Sequence, residues 1–374
     1  MSDATSDVVI VGGGIIGLSV AWNLARQGVS VTVLERSQVG DGASNASAGM
    51  LAPLAEANRP GPFLALGVAS LRLYPSFVAT LHEETGVSAE CASPGLLRVA
   101  VNEEESAEFC TATWQQAAGL PVEYLDGDAA RNLEPTLSES VIAAVLSPDE
   151  KQYDPSRLVR MLALACASRG VRIVECAPVI GFETSDGRVT GVRTATDVYS
   201  CGDVVIAAGA WADQVAEWLG ASLPVFPVRG QILALQCTPS PVKYTIYAHA
   251  GYIVPRVDGR VLVGATAEYG VGFDTRPTAV GMTTLLQAAA SLVPPLMQAP
   301  FDRVWAGLRP GCADNLPIFG LLPGWENVHL AAGHFRNGVL LAPITGEIVA
   351  GLVTGAQPHA LLESFRAERF AEAQ

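Results

Sequence analysis

At 374 residues, with 49% hydrophobic and only 16% charged residues, the chain has material for two domains and a sizeable core, which excludes a disordered protein. A formal net charge of −14 without any Lys/Arg-rich run argues against nucleic acid and anionic lipid as partners. Seven scattered cysteines without C-x-x-C spacing and five histidines without a close-spaced pair point to no disulfide framework and no metal. The opening segment lacks the basic region and long apolar stretch of a signal peptide, and no uninterrupted apolar run of ~18 residues follows. A soluble cytoplasmic protein that engages no membrane is therefore expected.

In chain order, residues 7–11 are a continuous apolar run suited to a buried parallel strand. A glycine-rich turn follows, then a helix over 18–27, which Gly28 stops, and a second strand over 29–34 that ends in Glu35 and Arg36. This is a βαβ unit. Residues 40–53 are mostly small and allow close backbone approach to a ligand. Next come a helix over 63–84, a strand over 95–101, a helix over 103–118 and a short helix over 128–133. Pro155 near the first helical position and Gly170 after the last bracket a helix over 155–169. Strands are predicted at 171–175, 179–184 and 189–194, with Asp186-Gly187 as a turn. Residues 203–207 form another buried strand that leads into a helix over 211–219. Alternation and turns over 223–274 predict an antiparallel sheet, followed by a helix over 277–292, strands at 301–306 and 327–331, and a last helix from Gly338.

The parallel-sheet signals fall in 1–84, 150–220 and 305–374, and the remaining stretches, 85–149 and 221–304, carry the antiparallel pattern. The expected fold class is α/β, α+β overall: a Rossmann-like nucleotide-binding domain interleaved with a second domain that carries the antiparallel pieces, which the resemblance given below implies to be a substrate domain built on a large antiparallel sheet.

The spacing Gly12-x-Gly14-x-x-Gly17 lies between a predicted strand and helix, the context that makes the pattern informative. Gly12 permits the tight turn, Gly14 lets the backbone approach a pyrophosphate, and Gly17 lets the helix pack on the strand. The free amides that open the helix at Ile15 and Ile16 face the phosphates. Glu35 stands 18 residues after Gly17 and offers its carboxylate to the two ribose hydroxyls, which disfavours the 2′-phosphate of NADP. The fingerprint alone does not separate FAD from NAD, so a nicotinamide-dependent dehydrogenase stays open on the glycines. Three features favour FAD: the N-terminal fingerprint, the run from Gly42 to Met50, and the late strand ending in Ala207-Ala208-Gly209-Ala210-Trp211.

Arg309 sits in an apolar stretch from Trp305 to Pro310, where its planar fork matches a carboxylate. On context alone it reads equally as a turn arginine facing water. Tyr252 reads as a hydroxyl donor or a packing aromatic, and Arg336 as an active-site cation or a structural arginine before the last helix.

These residues, with Tyr252-Ile-Val-Pro-Arg256, Val263-Gly-Ala-Thr266, Trp305–Gly311 and Gly333-His-Phe-Arg-Asn-Gly338, resemble the D-amino acid oxidase-like flavoprotein family over nearly the whole chain, and within it the glycine oxidases of thiamine biosynthesis. The resemblance implies a glutathione-reductase-type FAD-binding domain and an oxidase of glycine, sarcosine and small D-amino acids. Hydride would pass from substrate Cα to flavin N5 to give an imine, with O2 reoxidising the flavin to release H2O2. A dehydrogenase with a non-oxygen acceptor is the alternative, and a homo-oligomer, tetramer or dimer, is left open. Arg309 and Tyr252 are implied to hold the substrate carboxylate, with Arg336 near substrate and flavin. Ser47, Ala48, Gly49 and Met50 would lie by the isoalloxazine. Arg36, Ala208, Gly209 and Trp211 join the cofactor set, and Val179 would meet the adenine end through its backbone. The backbone of Asn337, Gly338, Val339, Leu340 and Leu341 would stabilise negative charge on the reduced flavin. The FAD is expected to be non-covalent, because Cys312 lies on the far side of Arg309 from the position where relatives tether it. The chain departs from the resembled pocket at Ala250 and Ala267, which leaves the preferred substrate open. His249 is offset by one, which on a strand points it to the other face, and His334 reads as structural rather than as a base.

Overall fold

The computed structural model describes residues 4–57, 59–91, 93–111, 114–117 and 119–373. Two eight-stranded sheets organise them. In the first, the strand Ala4–Val11 is central, parallel to Val31–Leu34 on one side and to Val198–Ile206 on the other. Arg172–Val174 extends one edge, and Val328–Ala332 followed by Ile318–Leu321 extends the other. The hairpin of Val179–Ser185 and Arg188–Thr194 pairs onto Val198–Ile206.

The run 8–11 is apolar at every position because both faces of this strand are covered. Val8 and Ile10 join a core with the helices Ile15–Arg26, Pro155–Ser168 and Gly338–Val353. Val9 and Val11 join another, with the residues 179–225 layer. The helix Pro62–Thr85 is long and apolar enough by composition to cross a membrane, unlike the expectation above. Here its apolar face is packed in the core: Leu66 and Leu81 are fully buried, and Ser70 Oγ donates to the Leu340 carbonyl at 2.6 Å.

The second sheet runs in the order Phe301–Cys312, Val225–Gln236, Arg260–Gly264, Gly251–Pro255, Thr245–Ala248, Leu96–Ala100, Ala143–Ser147 and Glu123–Asp126. It is antiparallel throughout except where Thr245–Ala248 meets Leu96–Ala100, a parallel pair joining an early strand to a late one. The strand predicted at 301–306 continues to Cys312, so a boundary at residue 305 falls inside it. The helix predicted over 103–118 is two pieces, Glu103–Thr111 and Trp114–Ala117, and positions 112, 113 and 118 lie outside the described residues. After Gly264 the chain leaves the sheet and crosses to the helix Ala279–Leu292 as an irregular strap. A single antiparallel bridge between Arg229 and Glu268, with the Thr266 amide donating to the Gln231 carbonyl at 3.3 Å, ties the strap to the sheet, and side chains reinforce it. Glu268 accepts from Arg229 Nη2 and Gln231 Nε2, both at 2.6 Å, and Asp274 lies 3.4 Å from Arg229 Nη1.

Candidate active site

A cavity of about 710 Å³ runs between the two sheets, from the glycine turn after the first strand to the concave face of the second sheet. At its first end the chain is too crowded for side chains. Gly12 has φ +114°, and a Cβ there would lie 2.4 Å from the Ala207 carbonyl oxygen. A Cβ on Gly17 would lie 2.0 Å from the Gly12 oxygen; Gly17 therefore packs the helix and does not itself line the cavity. Gly14 is the N-cap of Ile15–Arg26 and provides no side-chain cap, and Gly14, Ile15 and Ile16 all line the cavity. The Ile15 amide donates to Ser44 Oγ at 3.0 Å, so it is not free for a phosphate without a shift of that hydroxyl.

Glu35 faces the same space. Its Oε2 accepts from the Gly13 amide at 2.8 Å and its Oε1 from the Ser37 amide at 2.9 Å. These bonds fix the carboxylate and leave lone pairs for hydroxyl donors. The Arg36 guanidinium stacks on Trp211 at 3.3 Å, and Trp211 stacks on Phe273 of the strap at 5.1 Å. Val179, Ala208 and Gly209 complete this end.

The middle is the small-residue run. Ser47, Ala48, Gly49 and Met50 line the cavity. Gly49 has φ +72°, and a Cβ there would lie 1.9 Å from the Tyr153 oxygen. Arg256 holds the run from behind: its Nη2 donates to the Ala48 carbonyl at 2.9 Å and its Nη1 to Gln152 Oε1 at 2.7 Å. Burial draws the Arg256 pKa down, and Asp154 opposes that shift.

At the far end Arg309, Tyr252 and Arg336 meet. Arg309 rises from Phe301–Cys312 over Gly230 of the neighbouring strand, where a Cβ would lie 2.3 Å from Nη1. Its Nη1 donates to the Thr266 carbonyl at 2.9 Å. Among the described residues it forms no ion pair, and burial, reinforced by the nearby Arg336, lowers its pKa against the pull of Tyr252 and Glu56. Tyr252 extends over Gly264, its cross-strand partner, and burial raises its phenol. Gly338 and Val339 open the last helix at the cavity wall, where a helix leaves its first amides unpaired.

Three of the expected residues do not line the cavity. Asn337 does not line the cavity, and its amide donates to the His334 carbonyl at 2.9 Å. The Leu340 and Leu341 side chains are fully buried in the core, and the Leu341 amide is spent on the Asn337 carbonyl at 2.8 Å as the helix's own first bond. His249 lies in the tight turn between Thr245–Ala248 and Gly251–Pro255, so strand parity does not set its direction; its Nε2 is 3.3 Å from Glu108 Oε2. His334 is buried, bonded to Thr345 Oγ1 at 3.0 Å, with its pKa pushed down to about 3 by desolvation.

The residues that sequence reasoning missed are Glu56 and Tyr247. Tyr247 donates to Glu56 Oε1 at 3.0 Å, and Glu56 Oε2 lies 3.9 Å from Arg336 Nη1. Tyr247 is the direct cross-strand partner of Tyr252, so hairpin register was the signal that pointed to it. Glu56 ends the one-turn helix Pro53–Glu56, which leaves no periodicity to read.

A glycine-walled cavity with a fixed carboxylate, Glu35, at one end and a buried fork of donors at the other fits a bound dinucleotide and a small carboxylate. Residues 7–352 match the model of the FAD dependent oxidoreductase family. The chain belongs to that family. It is 37% identical over 351 residues to the glycine oxidase of Geobacillus kaustophilus, covering 93% of this chain and 92% of that protein. It is also 37% identical over 373 residues to the bifunctional protein ThiO/ThiG of Synechocystis, covering 98% of this chain and 54% of that longer one. The crystal structure of the Geobacillus kaustophilus glycine oxidase superposes with a TM-score of 0.94 at 36% identity, covering 98% and 99% of the two chains. An L-proline dehydrogenase from P. horikoshii superposes at 0.89 with 25% identity, covering 99% of each. The protein is thus an FAD-dependent oxidoreductase, and its large mixed sheets are those of this family.

Proposed function

We propose that the protein oxidises small amino acids, with glycine, sarcosine and small D-amino acids as the substrate class, and that it acts as a glycine oxidase. The carrying observation is Arg309, a buried cation without a carboxylate partner among the described residues, in the cavity that the glycine fingerprint opens. A guanidinium so placed is left uncompensated unless a ligand brings the anion. The named glycine oxidases among its relatives support the substrate class. The relatives that carry a second activity, named ThiO/ThiG, support a role in supplying the glycine imine for the thiamine thiazole.

FAD held along this cavity would supply a hydride acceptor whose reoxidation by O2 would yield H2O2. The chain does the positioning. Arg309 fixes the substrate carboxylate, and the Tyr252 hydroxyl, kept protonated by burial, donates to it. The amides of Gly338 and Val339 offer donors to developing negative charge at the helix start. His334 is held neutral by burial and takes no proton, as hydride transfer from a neutral amine requires none. Non-covalent FAD binding is supported by Cys312. This thiol is buried, sits 3.4 Å from Asp314 Oδ1, is pushed up to about 11 by desolvation and does not line the cavity.

The test is anaerobic mixing with glycine, sarcosine, D-alanine and D-proline, following flavin absorbance near ~450 nm, before air is admitted. Bleaching, then recovery with peroxide in air, is the expected result. Bleaching that persists in air would assign a dehydrogenase with another acceptor. A flavin-loaded protein that none of the four bleaches would overturn the substrate class.

A further inference from the structure

The substrate end of the cavity holds two guanidinium groups and one carboxylate. Arg309 is buried, donates to the Thr266 carbonyl and forms no ion pair among the described residues. Arg336 is 37% exposed at its side chain, and Glu56 Oε2 stands 3.9 Å from it, within Coulombic reach but beyond a hydrogen bond. Glu56 is held from its other oxygen by the Tyr247 hydroxyl at 3.0 Å, and its side chain is only 16% exposed. Arg336, Arg309 and Glu56 together leave a net single positive charge on the cavity wall. An amino acid with a neutral amine and one carboxylate carries the single negative charge that balances it. A second carboxylate on the substrate would need Arg336, and to take it would have to drive Glu56 from its cation and leave a half-buried anion uncompensated.

We propose that Glu56, held in place by Tyr247, occupies Arg336 and so restricts the site to amino acids bearing a single carboxylate. This makes Glu56 a specificity-determining residue for the reaction proposed above, and the inference rests on that reading for its substrate but not for its electrostatics. Two features support it independently of turnover. The three charged side chains come from three separate elements, Pro53–Glu56, Phe301–Cys312 and the turn before Gly338–Val353, yet all line one cavity. And Tyr247 spends its hydroxyl on Glu56 rather than on solvent or backbone, with burial and then the Glu56 charge driving its phenol well up.

The experiment compares wild type, Glu56→Gln and Tyr247→Phe, each as the flavin-loaded protein. Acetate, malonate and succinate are titrated by calorimetry and by perturbation of the flavin spectrum, and D-alanine and D-aspartate are compared as substrates. In Glu56→Gln the affinity for malonate and succinate relative to acetate rises at least about tenfold, and the kcat/KM ratio of D-aspartate to D-alanine rises by a similar factor. Tyr247→Phe moves both ratios in the same direction by less. Ratios unchanged in Glu56→Gln, with flavin content retained, would overturn the proposal. If that variant loses its flavin, Tyr247→Phe decides in its place, and unchanged ratios there overturn it equally. A wild-type protein that oxidises no amino acid sinks the functional reading, yet the carboxylate titrations still decide this one.

Discussion

Replacing Arg309 by lysine keeps a charge but loses the planar fork, and replacing it by methionine loses both. Loss of a buried charged pair costs about 2–5 kcal/mol, or roughly 30- to 5000-fold in kcat/KM. Arg309→Met should therefore fall by that much for glycine or sarcosine, with flavin content unchanged because the residue lies at the opposite end from the glycine fingerprint. Arg309→Lys should fall less. Steady-state kinetics of both variants that match the wild type would remove Arg309 from the site.

Glu150 carries a different consequence. It is fully buried, with Oε1 accepting from the Leu54 amide at 2.5 Å and the Ala55 amide at 3.3 Å. Desolvation raises its pKa from 4.5 to about 8, against the pull of those two amides. The folded chain thus keeps a proton between pH 4.5 and about 8 that the unfolded chain releases. The stability this proton contributes is fully present below pH 4.5, declines as pH rises and is gone above pH 8. Glu150→Gln keeps the acceptor and removes the titration. Its melting temperature relative to wild type should climb through that window, ending a few °C (~2–5) higher at alkaline pH. Thermal scans showing a constant difference from pH 5 to 9 would contradict this. Because Glu150 also caps the one-turn helix that ends in Glu56, the same variant is the natural control for Glu56.

At the scale of elements, the fingerprint turn is the least forgiving. An alanine at Gly17 would place a Cβ 2.0 Å from the Gly12 oxygen, so the helix must withdraw from the strand that carries the phosphate turn. Gly17→Ala should purify with little or no flavin, read as the ratio of 450 nm to 280 nm absorbance. Full flavin content would mean that the turn relaxes more readily than this crowding allows.

This turn was legible because its chemistry is local: glycine spacing, flanking strand and helix lie within one stretch of chain. The last helix was legible in position but not in detail. Its start at Gly338 was foreseen, whereas which amides stay free depends on the Asn337 carbonyl accepting from Leu341, a matter of one residue. The part of the strap over 265–274 was read as sheet because its composition alternates, yet it is held by Arg229 and Gln231 from a strand about 40 residues earlier. Glu56 was missed, and Arg256 was given no role, for the same reason. Each gains its meaning from partners far along the chain, Tyr247 and Arg336 in one case, Ala48 and Gln152 in the other.

On the scale of the whole molecule, the two sheets meet around the cavity, and its wall draws residues from both. A ligand filling it ties them together. Protein freed of flavin should gain stability with added FAD, by about 2.7 kcal/mol at a hundredfold excess over Kd, which is roughly 3–4 °C in melting temperature for a chain of this length. A melting temperature indifferent to FAD would mean that the nucleotide does not use this cavity. The presence of two kinds of sheet was visible in the alternation of parallel and antiparallel signals. The seam between them was not, because Phe301–Cys312 carries the Arg309 stretch into the second sheet beyond the point where the pattern changes.

The first strand, Ala4–Val11, takes Val198–Ile206 as one neighbour, and that strand in turn takes Val328–Ala332. Its helix, Ile15–Arg26, is sealed by Gly338–Val353, where Ser19 Oγ donates to the Ala342 carbonyl at 2.7 Å and a Cβ on Gly346 would strike Asn23. On a ribosome making about 5–20 residues per second, the nucleotide turn emerges well before Gly338–Val353 and waits for that helix before its last wall exists. Flavin can therefore be captured only once the chain has passed Gly338–Val353, and a nascent chain stalled before that helix would carry every glycine of the fingerprint and still have no pocket to hold the cofactor.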